Sequence, residues 1–161
     1  MKIVITADTH IPKKKQLPYK LLQEFERADL IIHAGDWSSI EIYHTLRGFA
    51  DVKGVYGNND SDEVRGTLPE KEIIEVKGYR IGIVHGHGEK KTTENRALEA
   101  FEGVTLDIIV FGHSHIPMIK YYKKTLLINP GSPTDKRALP YYSYVNLSLH
   151  EGIKTEIIYF R

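Results

Sequence analysis

The sequence predicts an α/β fold in which two mixed β-sheets pack face to face, with helices on the outside. Three observations lead there. In the first third of the chain, short apolar runs alternate with amphipathic stretches, the order that yields parallel strands joined by right-handed crossovers. An apolar hairpin, a helix and another apolar run follow, and from Pro117 onward only strands are expected. Several runs also stop abruptly at a carboxylate or an imidazole, and α/β sheets bind ligands at the carboxyl ends of their strands.

In chain order, Ile3 to Ala7 reads as a buried strand that ends in Asp8-Thr9-His10. From Gln16 to Ala28, Leu17, Leu21, Leu22 and Phe25 recur at helical spacing among polar residues, which predicts an amphipathic helix lying on the sheet. Leu30 to Ala34 is a second strand and runs into Gly35-Asp36. Ser38 or Ser39 caps a helix that carries Ile40, Ile42, Tyr43 and Leu46 and stops near Gly48. Asp51 to Tyr56 is a third strand, terminating in Gly57-Asn58-Asn59-Asp60. Glu70 to Lys77 and Tyr79 to Val84 form a hairpin around Lys77-Gly78, and its second strand leads into His85-Gly86-His87-Gly88. Thr93 to Phe101 is helical, and Leu106 to Phe111 is a strand ending in Gly112-His113-Ser114-His115. The remaining strands are Pro117 to Tyr122, Thr125 to Ile128, Tyr142 to Leu149 and Ile153 to Phe160, the last two turning at Glu151-Gly152. Alternation in Tyr142 to Leu149 predicts one covered and one wetter face.

Composition narrows the chemistry. The 161 residues suit one domain over 1–161 with its own core. The absence of cysteine removes disulfides, thiolate metal sites and cysteine nucleophiles together. Twenty-two basic against twenty-one acidic residues leave a net charge of +1, so there is no global footprint for nucleic acid or an anionic membrane. No apolar run approaches bilayer length and Met1 leads straight into a strand, so a cytoplasmic protein is expected.

Five strand ends supply Asp8, His10, Asp36, Asn58, His85, His113 and His115, with His87 and Asp60 close by. Oxygen and imidazole donors suit Mn, Fe, Zn, Ni or Co better than an all-oxygen calcium cage. They are too many for one ion, whereas two ions sharing one carboxylate would use them all.

The ordered set Asp8-x-His10, Gly35-Asp36, Gly57-Asn58-x-Asp60, His85-Gly86-His87 and Gly112-His113-x-His115 resembles the calcineurin-like metallophosphoesterase superfamily, and covers nearly the whole chain in order. Small size, the His-Gly-His and Asn129-Pro130-Gly131-Ser132 are similar to its compact YfcE-type phosphodiesterase branch. The resemblance implies a four-layer αββα sandwich of the metallo-dependent phosphatase type. It implies that Asp8, His10 and His115 hold one divalent metal, that Asn58, His85 and His113 hold a second, and that Asp36 bridges them. Manganese is the leading expectation, with Ni, Zn, Fe, Co or Mg admitted by the same donors. A hydroxide shared by the ions would attack phosphorus in line, with Asp36, Asn58 and His87 as the catalytic set. Many relatives carry a histidine after the ligand asparagine, where this chain has Asn59, which cannot act as a general acid. A preference for good leaving groups, or modest turnover, is expected unless His87 or a metal-bound water supplies the proton. The expected partner is a small phosphoester, with a homodimer as a further expectation. A phosphomonoesterase and a non-catalytic, protein-binding scaffold on the same fold are the alternatives.

Other residues have plainer readings. His33 lies in an apolar strand and is read as a satisfied core histidine, while His44 and His150 are read as surface residues. Asp60 is expected to orient a ligand histidine. Lys13-Lys14-Lys15 is a solvated loop or the rim of the site, and Asn129 to Pro133 a turn or a pocket wall. Tyr141, Tyr142 and Tyr144 are read as strand packing, or as a dimer surface if exposed.

Overall fold

The apolar runs form two five-stranded sheets in the computed structural model, which describes residues 1–11 and 16–161. The first sheet contains β1 (Lys2–Thr6), β2 (Leu30–His33), β3 (Asp51–Gly54), β9 (Tyr142–Leu149) and β10 (Ile153–Phe160), in the order β10-β9-β1-β2-β3. β1, β2 and β3 are parallel, as their helical crossovers require, and β9 runs antiparallel to both β1 and β10. The second contains β4 (Lys71–Val76), β5 (Tyr79–Val84), β6 (Ile108–Val110), β7 (Met118–Tyr122) and β8 (Thr125–Asn129), in the order β4-β5-β6-β8-β7. Its three central strands are parallel and its two edges antiparallel.

Strand alternation sorts the apolar residues into layers. Ile3 and Ile5 of β1 meet Ile81, Ile83, Ile108 and Val110 of the other sheet in the central core. Val4 and Ile31 face the other way, under Leu21 and Phe25 of α1 (Tyr19–Phe25) and Ile40 and Leu46 of α2 (Ile40–Arg47). Ala97 of α4 (Thr93–Ala100) covers Ile109 and Leu127 on the far side. The layers are therefore helix, sheet, sheet, helix, as expected.

Some boundaries differ, for local reasons. α1 starts at Tyr19, after Pro18 at its N-cap with extended backbone (φ −55°, ψ 133°), because a proline disfavours helical backbone in the residue before it. A short helix α3 (Asp62–Thr67) was not expected from the sequence, since it buries only Val64 and so shows no apolar stripe. Ser61 starts it by accepting the Val64 N–H at 3.4 Å. The Lys77-Gly78 turn has both residues at positive φ, 52° and 81°, the geometry that matches strand twist in a two-residue hairpin. In β9 the wetter face is only partial: Tyr144 is buried against Phe160, because the helical layer covers that side too.

Candidate metal centre

Of the residues expected as ligands, Asp8, His10, Asp36, His85 and His115 come together, and the backbone that brings several of them there is unusual. Asp8, His10, Asp36, His113 and His115 all have positive φ, between 33° and 67°. For residues with a Cβ this costs on the order of 1–3 kcal/mol each and persists only where neighbours impose it. Here the neighbours are visible. The Asp8 N–H donates to the Gly35 carbonyl at 2.9 Å, and the His113 N–H to Asp8 Oδ2 at 2.8 Å. Ser132 Oγ donates to the Asp8 carbonyl at 2.7 Å, and the Thr134 hydroxyl donates to that of Thr9. Loops from both sheets are thereby bonded to one another.

Asp8 Oδ1 lies 3.4 Å from His115 Nε2 and 3.8 Å from the Nε2 atoms of His10 and His85. Asp36 Oδ2 lies 3.3 Å from His10 Nε2 and 3.4 Å from His85 Nε2. Among the described residues, Asp8 Oδ1, His85 Nε2 and His115 Nε2 are buried and have no hydrogen-bond partner. Such atoms are rare because each forfeits its solvation. The opposite ring nitrogens explain which form is present. His85 Nδ1 donates to the Ala34 carbonyl and His115 Nδ1 to that of Asp135, both at 2.7 Å, so in the neutral rings the Nε2 lone pairs face inward. Two groups, Asp8/His10/His115 and Asp8/Asp36/His85, each place their donor atoms within 4.8 Å of one another. This donor chemistry fits a divalent transition ion.

The charges agree with that fit. Burial pushes the Asp8 carboxyl up, but His10, His115 and His85 together outweigh it and hold it at about 2. Asp36 is likewise raised by burial and pulled well below the usual range by His85 and Asn59. The Asp8 carboxylate raises His10; for His85 burial opposes, and the two carboxylates prevail. A metal entering this cluster must displace those protons. His113 is driven down to about 4 by burial and by His85, and His87 is lowered for the same two reasons. Their rings lie 5.2 and 5.5 Å from the His85 ring.

Glycines leave room at closest approach. A Cβ on Gly57 would sit 2.1 Å from Asp36 Oδ1, and one on Gly112 2.8 Å from Asp8 Oδ2.

Several residues do something other than the sequence suggested. Asp60 accepts the backbone N–H groups of Gly57, Ser38 and Asp36 at 2.7, 3.0 and 3.0 Å, so it ties the β2 and β3 loops together and orients no histidine. The exposed Asn58 has its carbonyl bonded to Arg65, whereas its neighbour Asn59 bonds Asp36 twice, through the backbone N–H at 2.9 Å and Nδ2 at 2.8 Å. Arg96, on α4, donates to the carbonyls of Gly86, Lys90 and Lys91 at 2.8, 2.8 and 2.7 Å, clamping the loop that carries His85 and His87. Nothing in the local sequence marks Arg96 or Asp135 for these tasks. Asn129 is a buttress, its Nδ2 donating to the Gly112 carbonyl at 2.8 Å.

His33 is the core histidine that was expected. It stacks on Trp37 at 3.6 Å, Nδ1 accepts the Gly35 N–H at 3.2 Å, and Nε2 then carries the proton donated to Thr9 Oγ1 at 3.2 Å. Burial drives it down to about 3. His44 and His150 are exposed. Tyr144 is buried and Tyr142 packs on Phe160, while Tyr141 is exposed beside Tyr159. Lys13, Lys14 and Lys15 lie outside the described residues. Among the described residues, no helix is long and apolar enough to cross a membrane.

Comparison with known proteins agrees with this geometry. A probable metallophosphoesterase of Methanocaldococcus jannaschii, MJ0623, is 35% identical over 160 residues, which cover 98% of this chain and 81% of that protein. Phosphodiesterase MJ0936 of the same archaeon is 28% identical over 148 residues, covering 81% of this chain and 83% of its own. The solution structure of Thermotoga maritima protein TM1076 superposes with a TM-score of 0.76 at 28% identity, over 99% of both chains. Residues 1–152 match the calcineurin-like phosphoesterase superfamily domain, and the chain belongs to that superfamily of metal-dependent phosphoesterases.

Proposed function

We propose that this protein is a metal-dependent phosphodiesterase. The observation that carries the reading is the convergence of Asp8 Oδ1, His85 Nε2 and His115 Nε2, buried and without hydrogen-bond partners among the described residues, beside Asp36. In this reading Asp8, His10 and His115 hold one ion, Asn58, His85 and His113 hold a second, and Asp36 bridges them, with manganese as the leading ion. Ions bound there would lower the pKa of water and neutralise charge on the phosphoryl oxygens. The protein's own groups set the rest. Asn59 holds both Asp36 oxygens, so the bridging carboxylate is fixed before substrate arrives.

Burial, and then the neighbouring His85, lower the pKa of the half-buried His87. It would therefore contact a phosphoryl oxygen through an N–H and not act as a strong proton donor. With Asn59 also unable to donate a proton to the leaving oxygen, good leaving groups are favoured. If instead His87 is the acid, His87→Asn abolishes the acidic-group limb of the pH profile; an unchanged limb supports the contacting role.

The test is hydrolysis of bis-p-nitrophenyl phosphate beside p-nitrophenyl phosphate, on metal-stripped protein with Mn²⁺, Ni²⁺, Zn²⁺ or Mg²⁺ restored. Metal-dependent cleavage of the diester, lost in Asp36→Asn, is the expected result. Preferential cleavage of the monoester would make the protein a phosphomonoesterase, and no cleavage with any ion would leave a protein-binding scaffold.

A further inference from the structure

We propose that the outer edge of β10 joins two copies of this chain, β10 pairing antiparallel with the partner's β10 about a two-fold axis at Thr155. The two first sheets then form one continuous sheet, and nothing in the pairing depends on the phosphodiesterase reading. β10 and β7 are the edge strands on one flank of the sandwich, where they approach each other. β10 pairs with β9 alone, and among the described residues no other backbone group bonds to it. In an antiparallel strand with one neighbour, alternate N–H and C=O groups point outward, an edge that proteins ordinarily cover or blunt. The opposite flank is closed by charge: Lys53 of β3 and Glu72 of β4 form an ion pair across it at 3.6 Å.

The β10 flank is apolar instead. Of the eight large apolar side chains exposed among the described residues, four belong to it: Ile116 leading into β7, Tyr121 on β7, Tyr141 leading into β9 and Tyr159 on β10. Ile116, Tyr141 and Tyr159 line a cavity of about 500 Å³. Tyr121 shares a face of β7 with Ile119, which packs on the central core, yet Tyr121 is 62% exposed. Ile153 and Ile157, on the face of β10 turned toward that core, are only half-buried. A second sheet edge laid alongside would cover them.

The charges select a second copy as the occupant. Lys154 and Glu156 are exposed on the other face of β10, two positions apart, and neither enters an ion pair among the described residues. Pairing about Thr155 puts Lys154 of each copy directly opposite the partner's Glu156, and the two-fold axis makes that contact twice. The same register sets Ile153 opposite the partner's Ile157, apolar against apolar. Shifting the axis to Ile157 would set Lys154 opposite Phe160 and Glu156 opposite Ile158, and both charge pairs would be lost. With a net charge of only +1, the copies carry almost no overall repulsion to overcome.

The test is the oligomeric state of the full chain by sedimentation equilibrium at micromolar concentration. The parent is expected to have twice the mass of one chain. Lys154→Glu and Glu156→Lys each place like charges opposite one another at two points, and each should weaken dimerisation by about tenfold or more. Lys154→Glu combined with Glu156→Lys restores opposite charges in the same register and should restore the dimer. A monomeric parent, single variants as dimeric as the parent, or a folded double variant that stays monomeric would overturn the proposal. Amide hydrogen exchange on the parent reads the edge without any substitution: the outward N–H groups of β10 should exchange more slowly as concentration rises. Exchange there that is independent of concentration, while the mass changes from one chain to two, would place the interface elsewhere and overturn the proposal as well.

Discussion

His85 donates its Nδ1–H to the carbonyl oxygen of Ala34 at 2.7 Å, and that bond turns the opposite ring nitrogen, Nε2, toward the carboxylates of Asp8 and Asp36. The metal-free protein therefore contains buried donor atoms whose needs a cation would meet. An ion present at a hundred times its dissociation constant stabilises by about 2.7 kcal/mol, which for a chain of this size raises Tm by roughly 5–10 °C. Scanning calorimetry with Zn²⁺ or Mn²⁺ should show that rise in the parent and little of it in Asp8→Asn. A Tm indifferent to every divalent ion would remove the basis for the metal centre.

Gly57→Ala tests how tightly the site is packed. Its Cβ would fall 2.1 Å from Asp36 Oδ1, too close to be absorbed without moving the β3 loop. A loss of about 1–3 kcal/mol in denaturant unfolding is expected, together with weaker metal binding. Gly66→Ala is the control: a Cβ there meets nothing within 4 Å, and in the helix α3 it should be neutral or stabilise by up to about 1 kcal/mol.

Arg96 should not be replaceable by lysine. Its guanidinium serves three carbonyls and the Thr93 hydroxyl at once, from Nε and both terminal nitrogens, a spread that one ammonium cannot reach. Arg96→Lys is expected to lower stability by about 1–3 kcal/mol and to weaken metal binding by calorimetry nearly as much as Arg96→Ala does. Full metal affinity in the lysine variant would show that the clamp does not position His85.

His33 should contribute a distinct pH dependence to stability. Its folded pKa is depressed to about 3, from an unfolded value of 6.5, so between those limits the unfolded chain binds the extra proton. Stability from this residue is complete above pH 6.5 and falls as pH drops toward 3, with a slope of about 1.4 kcal/mol per pH unit. His33→Asn keeps an acceptor for the Gly35 N–H but no titrating group. The difference in unfolding free energy between parent and variant should follow that slope; a flat difference would contradict the buried neutral imidazole.

The layered fold was legible because its signals are local. Apolar runs of strand length, helical spacing of Leu21 and Phe25, and the Lys77-Gly78 turn each report a backbone preference within a few residues, and strand ends rich in Asp and His mark where ligands gather. α3 escaped because its first turn relies on the Ser61 cap and its burial on Val64 alone.

By itself the sequence determined which residue types stand at the ends of five strands, and hence the class of metal they suit and the family to which they belong. Only the tertiary structure decided who holds those residues in place. Asp60 serves backbone N–H groups, Asp135 steadies His115, Asn59 grips Asp36, and the His113 N–H reaches Asp8 across 105 positions of chain. The reason is physical: a buried polar atom takes whichever partner the fold brings within about 3 Å, and that proximity is set by how the sheets pack and not by spacing along the chain.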